Sequence, residues 1–389
     1  MSDGLQTLPL SGLRVLDFAQ FLAGPVAAMR LSDLGAEVIK IERPQGGDLC
    51  RSMVVNDQML EGDSLVFHTF NRGKKSVAAD LKDAGDLEAV KRLIKTADVL
   101  IHNFRPGVME RIGLGYETVK GLNPRLVYAG VSGYGTEGPW VKKPGQDLLV
   151  QSLSGIAWLN GNAADGPVPT GFAMLDVATA GNLVQGILAC LLRRGTTGQG
   201  GLVEVDLMTT AVDLTFEQFT CFLNDNNRQP VRHEVGNANP YQPAPYGIYK
   251  TANGYMAFAM TPLKVVADLL DTPAIAEFGQ DKAFSHLNEI KKIVADVFAT
   301  QPTQHWLDIL EPAGIWCAPV LNWVDFVKTE GFKAAKLVQT LTSEGGAKAL
   351  TTKCPIRIDG SAPMASAVGP KLGQDTEAVF AEVAASAEA

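Results

Sequence analysis

Cysteine is scarce in this chain, and what there is lies scattered. Cys50, Cys190, Cys221, Cys317 and Cys354 are odd in number and show no C-x-x-C spacing. That pattern argues against a disulfide framework and a zinc site, and a reducing cytoplasm is the expected home. The five histidines are equally dispersed, so no metal centre is expected. An excess of basic charge is also lacking: the formal net charge is −8. No global field therefore favours nucleic acid or an anionic membrane surface, and any anionic ligand needs a local cluster of cations. The N-terminus MSDGLQTLPL has neither the basic start nor the apolar run of a signal peptide. Nor is there a stretch near the roughly 18 uninterrupted apolar residues of a membrane span. The longest candidate, residues 183–192, stops at Arg193 and Arg194. Internal repeats are absent as well.

What remains is a chain of 389 residues, 46% hydrophobic and 20% charged, the composition of a globular protein of one large or two ordinary domains. In its first half, strand-like segments (LRVLDFA, EVIKIE, KSVAAD, DVLIHNF, RLVYAGVSGY) alternate with helical ones such as VAAMRLSDLGA and DLEAVKRLIKTA. This alternation predicts an α/β fold with a Rossmann-like parallel sheet. GGLVEVDLM reads as a further strand and TTAVDLTFEQFTCFLND as a helix. An Asn-, Pro- and Gly-rich stretch then precedes a hairpin in IYKTANGYMAFAM and mostly helical sequence. The expected organisation is a large domain over 1–218, a linker at 219–234 and a smaller α+β domain over 235–319. Residues 320–389 are expected to return to the large domain, with TTKCPIRIDG as a strand and a frayed Ala/Glu-rich tail.

Ligands of open parallel sheets bind where the strands' carboxyl ends gather their loops. GYGTEG at 133–138 matches G-x-G-x-x-G after a strand, but Pro139, Trp140 and Pro144 follow, which makes it a loop and not a dinucleotide fingerprint. Cations concentrate beside strand ends: Arg43; Arg72, Lys74 and Lys75; Lys82; Arg105 and Arg111; Lys142 and Lys143. Taken singly each suits a solvated surface; together they suit a ligand with several phosphates. Gln20 and Gln146 bring amides to the same loops, where an amide can donate to an oxyanion. Asp176 is a lone carboxylate ahead of a long apolar helical pattern. It reads either as the helix N-cap or as a nucleophile, and a helix N-terminus favours the ionised form that both need.

Several segments together resemble the family III CoA-transferases, which include formyl-CoA transferases and α-methylacyl-CoA racemases. They are LSGLRVLDFAQFLAGPVAAMRLSDLGAEVIKIERPQGGD, NRGKKSVAADLK, ADVLIHNFRPGVMERIGLGYE, LNPRLVYAGVSGYGTEGP and GQGGLVEVDLM, with GIWCAPV as a later echo. The resemblance implies an interlocked homodimer. It places the catalytic aspartate on Asp176 and contacts to coenzyme A on Arg43, Ala79, Asp80, Leu81, Lys82, Asn103, Phe104, Arg105 and Arg111, with Lys143 as an extra. Gln146 stands where the racemase branch has a histidine for proton transfer, which favours the transferase branch over racemisation. The implied activity moves CoA from an acyl-CoA to a small carboxylic acid, with the CoA thioester as substrate and no tightly bound cofactor. Asp176 is then the nucleophile, Gln20 and Gln146 assist, and the HEVGNANPYQP loop is a candidate lid.

Overall fold

The structure, a computed structural model, describes residues 8–53 and 55–388. Its chain divides into two compact units. One comprises 1–150, 173–210 and 337–389, and the other 151–172 and 211–336. Packing thus sets 151–172 with the second unit, where the sequence placed it in the large domain.

The first unit is built on β1 (Arg14–Asp17), α1 (Ala23–Asp33), β2 (Glu37–Glu42), β3 (Lys75–Ala78), α2 (Ala84–Thr96) and β4 (Val99–His102). It continues through α3 (Val108–Arg111), β5 (Val127–Ser132), α4 (Asp147–Ser154), which begins here, α5 (Met174–Thr197) and β6 (Gly201–Asp206). Every pairing in the six-stranded sheet is parallel, in the order β3-β2-β1-β4-β5-β6. This is the doubly wound arrangement expected from the alternation, and it puts a topological switch point between β1 and β4.

Residues one apart in a strand face opposite sides of a sheet, and both sides here are apolar. Val15, Val38, Ile101 and Val127 pack with Ala27 and Leu31 of α1 and Leu183 and Ile187 of α5. Leu16, Ile39, Val77 and Leu100 meet Val90, Leu93 and Ile94 of α2 on the other side. Burying each such side chain stabilises the fold by about 1.5–3 kcal/mol. Asp83 caps α2 by accepting from the amides of Gly85 and Asp86 at 2.8 and 3.0 Å.

The C-terminal tail is not frayed. It forms a helix, Thr376–Glu388, whose Val379 and Val383 are buried on the α2 side of the sheet. Just before it, Asp375 accepts from the amide of Ser76, and the Thr376 hydroxyl accepts from that of Ala78. These two bonds occupy donors that the edge strand β3 would otherwise present unpaired. The expected strand in TTKCPIRIDG is confined to its start: Lys348–Thr352 pairs antiparallel with Val338–Thr342, and the rest is irregular.

Helix α5 also differs from expectation. The helix extends beyond the apolar run in both directions to 24 residues, long and apolar enough by length and composition to cross a membrane. Part of it instead packs on the sheet and α1, burying Leu175, Ala180, Leu183 and Ile187. Arg194, near its end, pairs with Asp98 at 2.9 Å.

The second unit holds a three-stranded antiparallel sheet in which Tyr255–Phe258 lies between Gly247–Lys250 and Cys317–Pro319. The hairpin and the GIWCAPV segment therefore meet in one sheet. Helix Leu287–Phe298 packs Ile290, Val294 and Phe298 against Tyr249, Met256 and Phe258. The single helix expected from TTAVDLTFEQFTCFLND is two, Leu207–Leu214 and Phe216–Asn224.

Candidate active site

At the switch point the loops after β1, β2, β3 and β4 enclose a cavity of about 190 Å³. Gln20, Arg43, Ala79, Asp80, Leu81, Lys82 and Phe104 all line it, so seven of the expected site residues converge from four separate strand ends. Arg43 and Lys82 are exposed cations at its rim, and among the described residues neither enters an ion pair. The Arg43 Nε donates to the Gly47 carbonyl at 2.9 Å, which orients the guanidinium. Apolar walls with two unpaired cations suit a ligand carrying both an aromatic base and phosphates.

The other expected contacts fall elsewhere. Arg105 lines a neighbouring cavity of about 450 Å³ with His102, Tyr128 and Asp206. Burial holds the His102 imidazole down to about 4, so this ring is neutral at physiological pH. Arg111 is exposed at the end of α3, and Lys143 lies in the GYG loop with its ammonium 6.0 Å from the Trp140 ring. Asn103 turns both ends of its amide to the backbone of Gln20: Oδ1 accepts from the amide at 2.8 Å and Nδ2 donates to the carbonyl at 2.6 Å.

Three of the strand-side cations are committed to carboxylates of the fold. Arg72 forms a bidentate pair with Asp33, Lys74 donates to Asp17 at 2.7 Å, and Lys75 pairs with Glu37. They are removed from the set available to phosphates. The structure also reveals a buried network that sequence reading missed. Lys40 lies 2.8 Å from Asp48 and 3.8 Å from Asp17, and Arg51 bridges Glu42 and Asp63 at 2.7 Å each. Burial opposes the charge on Lys40, but Asp17, Asp48 and Glu42 outweigh it and raise the ammonium above its ordinary range. The DFA, EVIKIE and GGD segments carried Asp17, Lys40, Glu42 and Asp48, but nothing local paired them.

Asp176 is not the N-cap of α5. Ala173 occupies that position and Asp176 is the third helical residue. The cap comes from Asp147 at the start of α4, whose Oδ2 accepts from the amides of Leu175 and Asp176 at 2.7 and 3.1 Å. Asp147, buried, was within the GQD triplet at 145–147, yet nothing local marked it as the partner of an amide 28 residues away. Burial first, and then the charge of Asp147, push the Asp176 carboxyl up to about 6. Apolar residues beside Asp176 are split: Leu175 is buried in the core, and Val177 is half exposed.

The loop from Gly133 to Gly145 closes on itself. A Cβ on either glycine would lie 2.5 Å from the Cα of the other, so the chain can return here only because both lack side chains. Gln146 follows this closure, exposed, immediately before α4. In the second unit, the expected lid segment is held in place. The buried Lys291 donates to the carbonyls of Gly236 and Tyr246, and Asn237 donates to those of Leu159 and Gly161.

A doubly wound parallel sheet with a cation-rimmed cavity at its switch point suits a phosphate-bearing ligand, but a fold of this kind hosts many functions. Comparison with known proteins resolves the class. The model of CoA-transferase family III matches residues 10–376, and the chain belongs to that family. It is an enzyme of the CoA-transferase class. A succinate–glutarate CoA-transferase of Agrobacterium fabrum is 31% identical, with 96% of each chain covered. An acetyl-CoA:oxalate CoA-transferase of Acetobacter aceti is 33% identical over 97% of this chain and 96% of its own. Among solved structures, a CAIB/BAIF family protein from Brucella suis superimposes with a TM-score of 0.82 at 30% identity, covering 97% of this chain and 100% of that one.

Proposed function

We propose that the enzyme moves CoA from an acyl-CoA to a small carboxylic acid by covalent catalysis on Asp176. The observation that carries this is the carboxyl of Asp176, part-buried in the first turn of α5 and raised to about 6 by burial and Asp147. At pH 7 most of it is ionised yet poorly solvated, the condition in which a carboxylate is a useful nucleophile.

The carboxylate attacks the thioester carbonyl, the C–S bond breaks, and CoA leaves as its thiolate from a mixed anhydride on Asp176. The thiolate then attacks the aspartyl carbonyl of that anhydride. The donor acid departs as a carboxylate, leaving an aspartyl-CoA thioester. An acceptor carboxylate attacks this thioester, expels the thiolate and forms a second anhydride. Attack of the thiolate on the acceptor's acyl carbon yields the new acyl-CoA and restores Asp176. No net water or redox change occurs, and the thioester's free energy is retained. Gln20 and Gln146 are assigned as donors to the oxyanion of each tetrahedral intermediate. Arg43, the 79–82 segment and Phe104 hold the nucleotide portion of CoA, with Arg105, Arg111 and Lys143 as further members of the binding region. Succinate, glutarate and oxalate, named for the two curated relatives, define small dicarboxylates as the first acceptors to try.

The working form is proposed to be an interlocked homodimer in the cytoplasm, not associated with membranes. Exposed Trp316, Trp323 and Leu192 supply apolar surface for a second copy to cover. The test is chemical trapping. Incubation with succinyl-CoA, then hydroxylamine or borohydride and digestion, is expected to mark Asp176. A mark on another carboxylate, with Asp176→Ala still active, overturns the mechanism.

A further inference from the structure

The turn after β1 binds its backbone in an unusual way. Five successive polar groups, from the Ala19 amide to the Phe21 amide, are each held by a side chain. Asp17 accepts from the Ala19 amide at 3.0 Å, and Lys40 donates to the Ala19 carbonyl at 2.7 Å. Asn103 takes both the amide and the carbonyl of Gln20. Asp48 accepts from the Phe21 amide at 3.2 Å and shares its other oxygen with Lys40 at 2.8 Å. Asp17, Lys40 and Asp48 are buried. Charges taken out of water cost several kcal/mol each before pairing. Phe21 adds to this by sitting at φ 63°, left-handed backbone that costs a side-chain-bearing residue about 1–2 kcal/mol. A turn that merely joined a strand to a helix would leave these groups to solvent. The missing side chain of Gly24 tightens the same turn: a Cβ there would lie 2.2 Å from that of Ala19.

From this geometry we infer that Lys40, Asp48 and Asn103 are positioning residues, a clamp that fixes the backbone of Gln20 at the cavity wall and so limits where its side-chain amide can reach during CoA transfer. The inference rests on the proposed function and assigns Asn103 to the enzyme's own backbone and not to CoA. Its chemistry is that of preorganisation: an amide donor fixed before the oxyanion develops stabilises it without reorganising. Removing Lys40 would strand the buried Asp48 and leave Asp17 with Lys74 alone, so the informative variant is Asn103→Ala.

The full-length enzyme, Asn103→Ala, Gln20→Ala and the double variant are compared in succinyl-CoA-to-glutarate transfer, in calorimetric CoA affinity and in amide hydrogen exchange over 18–22. Asn103→Ala is expected to speed exchange there about tenfold or more. It should lower kcat by about tenfold or more while KM for succinyl-CoA stays within about threefold. The double variant should be no slower than Gln20→Ala alone, because the two changes disable one device. Asp33→Asn, or Arg72→Lys where that fails to fold, weakens an equally buried pair outside the clamp and should lower Tm with kcat intact. A raised KM with unchanged kcat, losses that multiply, or an equal kcat loss in the control overturns the clamp. Should the wild-type enzyme bind CoA but transfer it to no acid, the functional reading fails, and exchange still decides the clamp: unchanged exchange in Asn103→Ala refutes it.

Discussion

Two groups of buried carboxylates in the first unit face opposite electrostatic company. Around the β1 turn, Asp17 and Glu42 sit among Lys40, Lys74 and Arg51. Burial favours the neutral acids there, but the cations outweigh it and hold both below the ordinary carboxylate range. At the junction of α4 and α5, burial and Asp147 act in the same direction on Asp176 and lift it to about 6. The contrast separates scaffold from chemistry. A carboxylate satisfied by cations and hydrogen bonds is a poor nucleophile and a good strut. One raised by burial and a like charge is under-stabilised, and that is the property covalent catalysis uses.

The comparison breaks most sharply at Asp176 itself. Asp176→Ala is expected to lower CoA transfer by about a thousandfold or more, measured as acyl-CoA formation by chromatography. Next in size is the scaffold: Lys40→Met leaves Asp17 and Asp48 short of a cation and should destabilise the fold by about 3–5 kcal/mol in urea melts. Asp176→Asn should do the reverse. Because the folded carboxyl titrates near 6, above its unfolded value of 3.8, the unfolded chain binds fewer protons between those values and stability falls as pH rises through that window. The amide has no such slope, so Asp176→Asn should gain about 1–3 kcal/mol at pH 7–8 and nothing below pH 4. For the wild-type enzyme, kcat/KM should fall about tenfold per pH unit below about 6, and Asp147→Asn should move that limb to lower pH. The smallest effect, about 1 kcal/mol and no change in the limb, is expected for Asp83→Ala, which removes only the cap of α2.

Much of the first unit was legible in the sequence because short apolar strand-like runs alternate there with segments of helical period, and a parallel sheet buried on both faces demands such runs. EVIKIE became β2 from end to end, and the loops that follow four strands did converge. The C-terminal helix was misread because Ala and Glu composition says nothing about Val379 and Val383 docking 300 residues from β3. Lys74 and Arg72 looked available because a cation's carboxylate partner, here Asp17 and Asp33, is set by the fold and not by neighbours in the chain. The cap of α5 was misplaced for the same reason: Asp147 reaches it from another helix, leaving Asp176 within the first turn.

By itself the sequence determined the α/β alternation and the family, since these follow from local periodicity and from motifs. Only the tertiary structure decided which charges are spent on one another and which remain for a ligand. Desolvation and pairing depend on distances between segments far apart in the chain. One aspartate is thereby made a strut and another, of the same chemistry, a candidate nucleophile.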